Sequence, residues 1–203
     1  KPVSADGTWG EIPWESRTPP DSSRTTSAAF GLALVVVFAP CAPIRRLVAM
    51  SVRGGDGVWW GAFDLAARLE RRELSAREAL EAQLDQIQRH DADINAVVTF
   101  DVEAARERAA VIDDSRARGE RLGPLAGVPV TVKDSLMTTG VRTTSGAREL
   151  SSYVPDVDAD VVARLRAAGA NVFAKTNLPV YANDVQTYNP LFGTTNNPWD
   201  LSR

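Results

Sequence analysis

Three lysines, one histidine and one cysteine define the chemistry open to this chain. Of 23 basic residues among 203, the lysines are Lys1, Lys133 and Lys175. Arginine stands almost wherever a solvated cation is enough, so a retained lysine raises the question of what arginine cannot supply. The answer is a proton that can be removed near neutral pH. His90 and Cys41 are the single residues of their kinds. They cannot assemble a zinc site of the usual Cys and His sets, nor a Ser-His-Asp or Cys-His nucleophile unless His90 alone serves. A hydrolase built on this sequence needs another base, and a lysine desolvated in a cleft releases its proton readily enough to be one.

Lys133 meets that demand best. It follows a β-branched run over 128–132 that reads as a buried strand, and Asp134 should point to the other side of the extended chain, away from its amine. A lysine that runs from a strand end to solvent is the plainer alternative, and these features alone leave both open. Lys175 ends a second run over 171–174, where chance survival and tolerance of arginine are as reasonable an expectation as function. His90, in QIQRHDAD, is expected at a helix end, where an imidazolium favours the last carbonyls.

The elements that must position these groups follow from periodicity. Phe63, Leu65, Ala66 and Leu69 predict a short helix. Ser75 with Glu78 forms a capping box opening a helix to Arg89, with Leu80, Leu84 and Ile87 on one face. Asp101 caps a third, striped by Val102, Ala105, Ala109 and Ile112, with Gly119 beyond it. Between the two strands, Asp158 or Asp160 opens a helix carrying Val161, Val162, Leu165 and Ala168, and Gly169 ends it. Strand, helical crossover, strand predicts parallel pairing, which sets both lysines at carboxyl ends of strands in one sheet. Open α/β sheets bind ligands at that edge.

Composition agrees with an ordinary globular protein. A net charge of -3 gives no electrostatic reason to expect nucleic acid or an anionic membrane. Neither a P-loop nor GxGxxG is present, so no cofactor is expected. Residues 1–27 have no period, and 28–39 form an apolar run too short to span a bilayer. A secretory leader fits poorly because APCAP is a weak cleavage site. The preferred expectation is that Met50 is the true start, that 1–49 are disordered or not native, and that the protein is cytoplasmic.

Three segments then resemble, in order and spacing, successive blocks of the amidase signature family: GPLAGVPVTVKDSLMTTGVRTTSGA at 123–147, RLRAAGANVFAKTNLP at 164–179 and NPLFGTTNNPWDLSR at 189–203. LSAREAL and INAVVTF are similar to the family's amino-terminal region. The resemblance implies that 50–203 are the amino-terminal part of an α/β/α fold whose mixed sheet is covered by helices. It implies a catalytic set of serine, a second serine in a cis peptide conformation, and lysine, with the lysine at Lys133. The neutral lysine takes the bridging serine's proton, that serine deprotonates the nucleophile, and the nucleophile attacks the amide carbonyl to give an acyl-enzyme that water cleaves.

In the family both serines and the oxyanion loop lie in a TPGGSSGG-like segment directly after NPWDLSR. A fragment holding the base but inactive alone is therefore expected, and Ser135, Ser145 and Ser202 do not replace the nucleophile. Ser135 stands where many members have Asn, and Val180 where an acidic or amide residue often follows. Residues 180–188 resemble in length the acyl-pocket segment of fatty acid amide hydrolases, which makes Ala182, Asn183, Asp184 and Val185 the implied substrate-binding residues. An unpaired Asp184 would be costly to bury in an apolar channel, so a long fatty chain is a poor fit. The implied partner is a small-molecule amide, with no metal, nucleic acid or membrane, and a homodimer is open to the full-length protein. Two alternatives stand beside amide hydrolysis: the amidase subunit of a tRNA-dependent glutamine amidotransferase working with partner subunits, and an inert truncated paralogue.

Overall fold

The computed structural model describes residues 60–201. Residues 1–49, expected to be disordered or not native, with their apolar run and Cys41, lie outside the described residues. Helix α1 (Ala62–Glu70) buries Leu65 and Leu69. Phe63, one of the four apolar residues that predict this helix, is 89% exposed. It precedes Leu65 by two residues, about 200° around the helix, and so faces away. Helix α2 (Ala76–Ile94) opens on the expected capping box: Ser75 Oγ accepts from the Glu78 N–H and the Glu78 carboxylate accepts from the Ser75 N–H. The helix runs past Arg89, however, and ends at Asn95, whose left-handed backbone (φ 58°) provides the stop. His90 is therefore an exposed residue inside the last turns, and the expected terminal position is corrected.

INAVVTF, for which periodicity gave no element, supplies strand β1 (Val97–Phe100). Helix α3 (Val102–Ala117) buries Ala105 and Ala109 on the expected stripe. Asp101 occupies its N-cap position without a capping bond, because its carboxylate accepts from Arg108 Nη2 instead. Arg108 Nη2 also donates to Val172 O, and this arginine ties α3 to the sheet.

Strand β2 (Pro129–Lys133), helix α4 (Asp160–Ala167) and strand β3 (Asn171–Thr176) form the expected strand-helix-strand unit. Asp158 stays outside α4, where it accepts from Arg166 Nη1 and from the Thr139 N–H. β2 pairs parallel with β3, and β1 pairs antiparallel along its other side, in the order β1-β3-β2. The sheet is mixed, with helices packed on it. Pro129 is tolerated as the first residue of an edge strand, where its missing N–H breaks no ladder. Central β3 is buried from Asn171 to Lys175. Val130, Val132, Val172, Phe173 and Ala174 pack with Leu80, Ala109 and Val162 in one core. A short ribbon, β4 (Tyr188–Asn189) and β5 (Gly193–Thr194), follows. Buried Asn189 donates to Asn177 Oδ1 and Leu178 O, which fastens NPLFG to the end of the KTN block.

The amino ends of β2 and β3 are closed by backbone packed on backbone. Gly169 follows α4 at φ +89°, and a Cβ there would sit 2.8 Å from Ala126 Cα. Gly169→Ala should therefore cost about 1–3 kcal/mol, seen as a lower melting temperature in calorimetry; an unchanged melt would show that the contact relaxes freely. Among the described residues no helix is long and apolar enough to cross a membrane.

Candidate active site

Both interior lysines reach the carboxyl edge of the sheet. In the β2/β3 register Val132 pairs with Lys175 and Lys133 with Thr176. Paired residues share a face and neighbours along a strand alternate, so the two lysines lean to opposite faces. Val130 and Val132 are buried while Pro129, Thr131 and Lys133 are half-buried, which puts Lys133 on the open face of β2. Its amine has no hydrogen bond or ion pair among the described residues.

Lys175 is the opposite case, with 0% exposure. Its Nζ donates to Leu136 O, to Thr138 Oγ1 at 2.9 Å and to Thr143 Oγ1 at 3.0 Å. The two hydroxyls direct their own protons to Leu136 O and Val141 O, so both must accept from Nζ. Three acceptors match the three protons of an ammonium and leave no lone pair for a substrate. Burial pushes the Lys175 pKa down to about 8, opposed by the negative charge of Asp134, so the ammonium form still prevails at neutral pH. Chance survival and ready exchange for arginine do not fit a side chain enclosed in this way, because a larger guanidinium has no room.

Asp134 completes the cluster. It is 0% exposed and, as the alternation predicts, turns away from the face of Lys133. Its N–H donates to Thr176 O at 3.0 Å, and its carbonyl accepts from the Ser145 N–H at 3.1 Å. Oδ2 accepts from the Thr144 N–H and hydroxyl, while Oδ1 has no hydrogen-bond partner among the described residues. Burial pushes the carboxyl pKa up, and the Thr144 bonds and the positive charge of Lys175 oppose it. The loop over 134–147 is therefore pinned from inside, by Asp134 at one end and by Lys175 through Thr138 and Thr143.

The same loop receives the segment after β3. The Tyr181 N–H donates to Ser145 O at 2.8 Å, and Tyr181 and Ala182 follow each other at φ 52° and 58°. Ser145 is itself at φ 50°. Left-handed backbone at three non-glycine positions joined by one hydrogen bond is a mark of stored strain. Ala182, Asn183, Asp184 and Val185 are all exposed, so among the described residues they wall no closed channel. Asp184 accepts from the Val185 and Gln186 N–H groups and from the Tyr188 hydroxyl, which hold its pKa below the ordinary value. It is a solvated turn residue here and bears no burial cost. What links these four to Lys133 is the shared loop. The direction of Asp134 was expected from sequence but its burial was not, and Thr138, Thr143 and Thr144 were given no role; their signal was a threonine-rich stretch near a scarce lysine.

A family model described as amidase matches residues 78–203. The chain belongs to the amidase signature family. The A-type subunit of glutamyl-tRNA(Gln) amidotransferase from Moorella thermoacetica is 47% identical over 142 residues, 70% of this chain and 29% of that protein. Its counterpart from Salinispora arenicola matches to the same extent. The chain thus spans about three tenths of the length of the curated relatives it matches. Among solved structures, a bacterial aryl acylamidase of the amidase signature family superposes with a TM-score of 0.67 at 32% identity, covering 70% of this chain and 30% of that one. A fatty acid amide hydrolase, at 20% identity and a TM-score of 0.70 over 78% of this chain and 28% of its own, shares the fold. The amidase signature likeness thus includes β2, the 134–147 loop and β3.

Proposed function

We propose that this chain is the amino-terminal part of an amide hydrolase in which Lys133 is the general base. The observation that supports this most directly is the contrast between the strand-end lysines. Lys133 presents an unengaged amine on the open face of β2, whereas every proton of Lys175 is committed. In the full-length enzyme the neutral Lys133 amine takes a proton from a serine outside the described residues, and the relayed charge drives attack on the amide carbonyl. The ammonium so formed returns the proton toward the departing amine. A small amide suits solvated Asp184 better than a long apolar acyl chain. Release of ammonia from simple aliphatic or aryl amides by the full-length protein, lost in its Lys133 variant, tests the assignment.

A second reading is favoured by the 47% identity to the Glu-tRNA(Gln) amidotransferase component of Moorella thermoacetica. In that role Lys133 acts on glutamine, and ammonia release depends on partner subunits. Glutamine hydrolysis seen only after partner subunits are added would favour the amidotransferase; turnover of simple amides by the protein alone would favour the free-standing hydrolase.

Residues 1–49 have a sequence with no periodic face to bury, and on that ground we expect them to contribute nothing to the stability of the amidase domain. A chain beginning at Met50 should melt at the same temperature as one beginning at Lys1, and a marked loss on truncation would show the segment packing on the domain.

A further inference from the structure

We propose that Lys175 is a positioning residue for Lys133: it keeps the Asp134 carboxylate folded beneath the loop and so leaves the neighbouring amine without a counter-ion. The proposal rests on the reading of Lys133 as the base. Asp134 is the carboxylate nearest to Lys133 along the chain; the alternation along β2 starts it on the opposite face, and its enclosure beneath the loop keeps the turn that follows from bringing it back to the amine, where it would hold the Lys133 proton. In the structure this carboxylate is fully buried, with one oxygen unbonded among the described residues. Such a group is costly to enclose unless positive charge lies close by.

Lys175 is tied to the loop that encloses this carboxylate: its Nζ donates to Leu136 O, Thr138 Oγ1 and Thr143 Oγ1, and the next residue, Thr144, holds Asp134 Oδ2 through its N–H and hydroxyl. Its positive charge also favours the buried carboxylate, behind the Thr144 bonds. The other charged groups that reach the cluster do not replace it. Arg142 is exposed, and its guanidinium stacks on Phe192 and donates to Thr99 Oγ1. Arg166 from α4 and Asp158 before it are paired with each other. The two strand-end lysines therefore divide the work: one is exhausted in hydrogen bonds so that the other stays unengaged.

The experiment reads the Lys133 amine itself in the full-length protein, by trace acylation with acetic anhydride across pH 7 to 10 and mass spectrometry of the labelled peptide. This readout does not require amide turnover, so a protein that lacks amidase activity would sink the proposed function and leave this inference still decidable. In Lys175→Met the carboxylate loses its charge partner, moves toward solvent and pairs with Lys133. The labelling rate of Lys133 should fall several-fold, up to about tenfold, with its profile displaced to higher pH. Adding Asp134→Asn to that variant removes the counter-ion and should return Lys133 to wild-type labelling. Lys175→Gln, which keeps an amide donor for the loop oxygens but removes the charge, should shift labelling in the same direction and carries the test if Lys175→Met does not fold. Unchanged labelling of Lys133 in whichever of the two variants folds overturns the proposal. So does a double variant that stays slow, since the effect would then come from the lost positive charge and not from Asp134.

Discussion

Lys133→Ala in the full-length enzyme should reduce amide turnover by about 10⁴-fold or more while leaving the melting temperature within a degree or so of wild type. The size follows from the way a base and its nucleophile act as a unit. Without the amine to accept its proton, a serine hydroxyl is a poor nucleophile, and the remaining groups stabilise a charge that hardly forms. The indifference of stability follows from the position. The side chain is half-buried, makes no hydrogen bond among the described residues, and sits one step beyond Val130 and Val132, which hold β2 in the core. Arginine should be as inactive as alanine, because a guanidinium does not give up its proton. Near-wild-type turnover in a well-folded Lys133→Ala protein would remove the lysine from the mechanism.

The second large effect is on stability. Lys175→Met should cost about 3–5 kcal/mol, a large part of the total for an ordinary domain, because it strands Asp134 and leaves a carbonyl and two threonine oxygens without their donor. The charge also predicts a dependence on pH. Lys175 in the folded protein has a pKa lowered from 10.5 to about 8. Below pH 8 both folded and unfolded chains hold the proton, and the burial penalty is fully present. Between pH 8 and 10.5 the unfolded chain keeps a proton that the folded chain has released, so stability rises with pH, by about 1 kcal/mol per pH unit. Denaturant unfolding at pH 7, 8, 9 and 10 should show this rise in wild type and not in Lys175→Met. Parallel curves for the two proteins would mean that the buried amine does not titrate in that range.

The helices, the parallel β2/β3 pair and the strand-end placement of both lysines were legible in the sequence, because each rests on a local pattern that the core enforces. A short apolar stripe fixes α1 and α3, and a capping box fixes the start of α2. The failures lie where a side chain had two competing partners. Asp101 stands where a cap belongs but is taken by Arg108, which must also reach the β3 carbonyl. Phe63 is apolar yet turned out, since hydrophobicity alone does not say on which side of a helix a residue falls. β1 was missed because VVTF is only four residues long and becomes a strand by pairing with β3, a long-range contact. At the proposed site, the likeness to the family implies Lys133, and the alternation along β2 already turned Asp134 away from it. The burial of Lys175 was not legible, because a run of threonines reads as a polar loop until the fold closes it over the amine.

The enclosure of Asp134 and Lys175 on one side of the sheet also has a meaning for descent. Losing either charge alone is a severe step, while losing both together leaves a neutral, packable interior, so the two positions are bound to change as a pair. A lineage can cross between the charged and uncharged versions only quickly or with a compensating change in the threonines between them. Relatives of this chain should therefore carry both charges or neither, and a protein found with only one should show an altered residue at 138, 143 or 144.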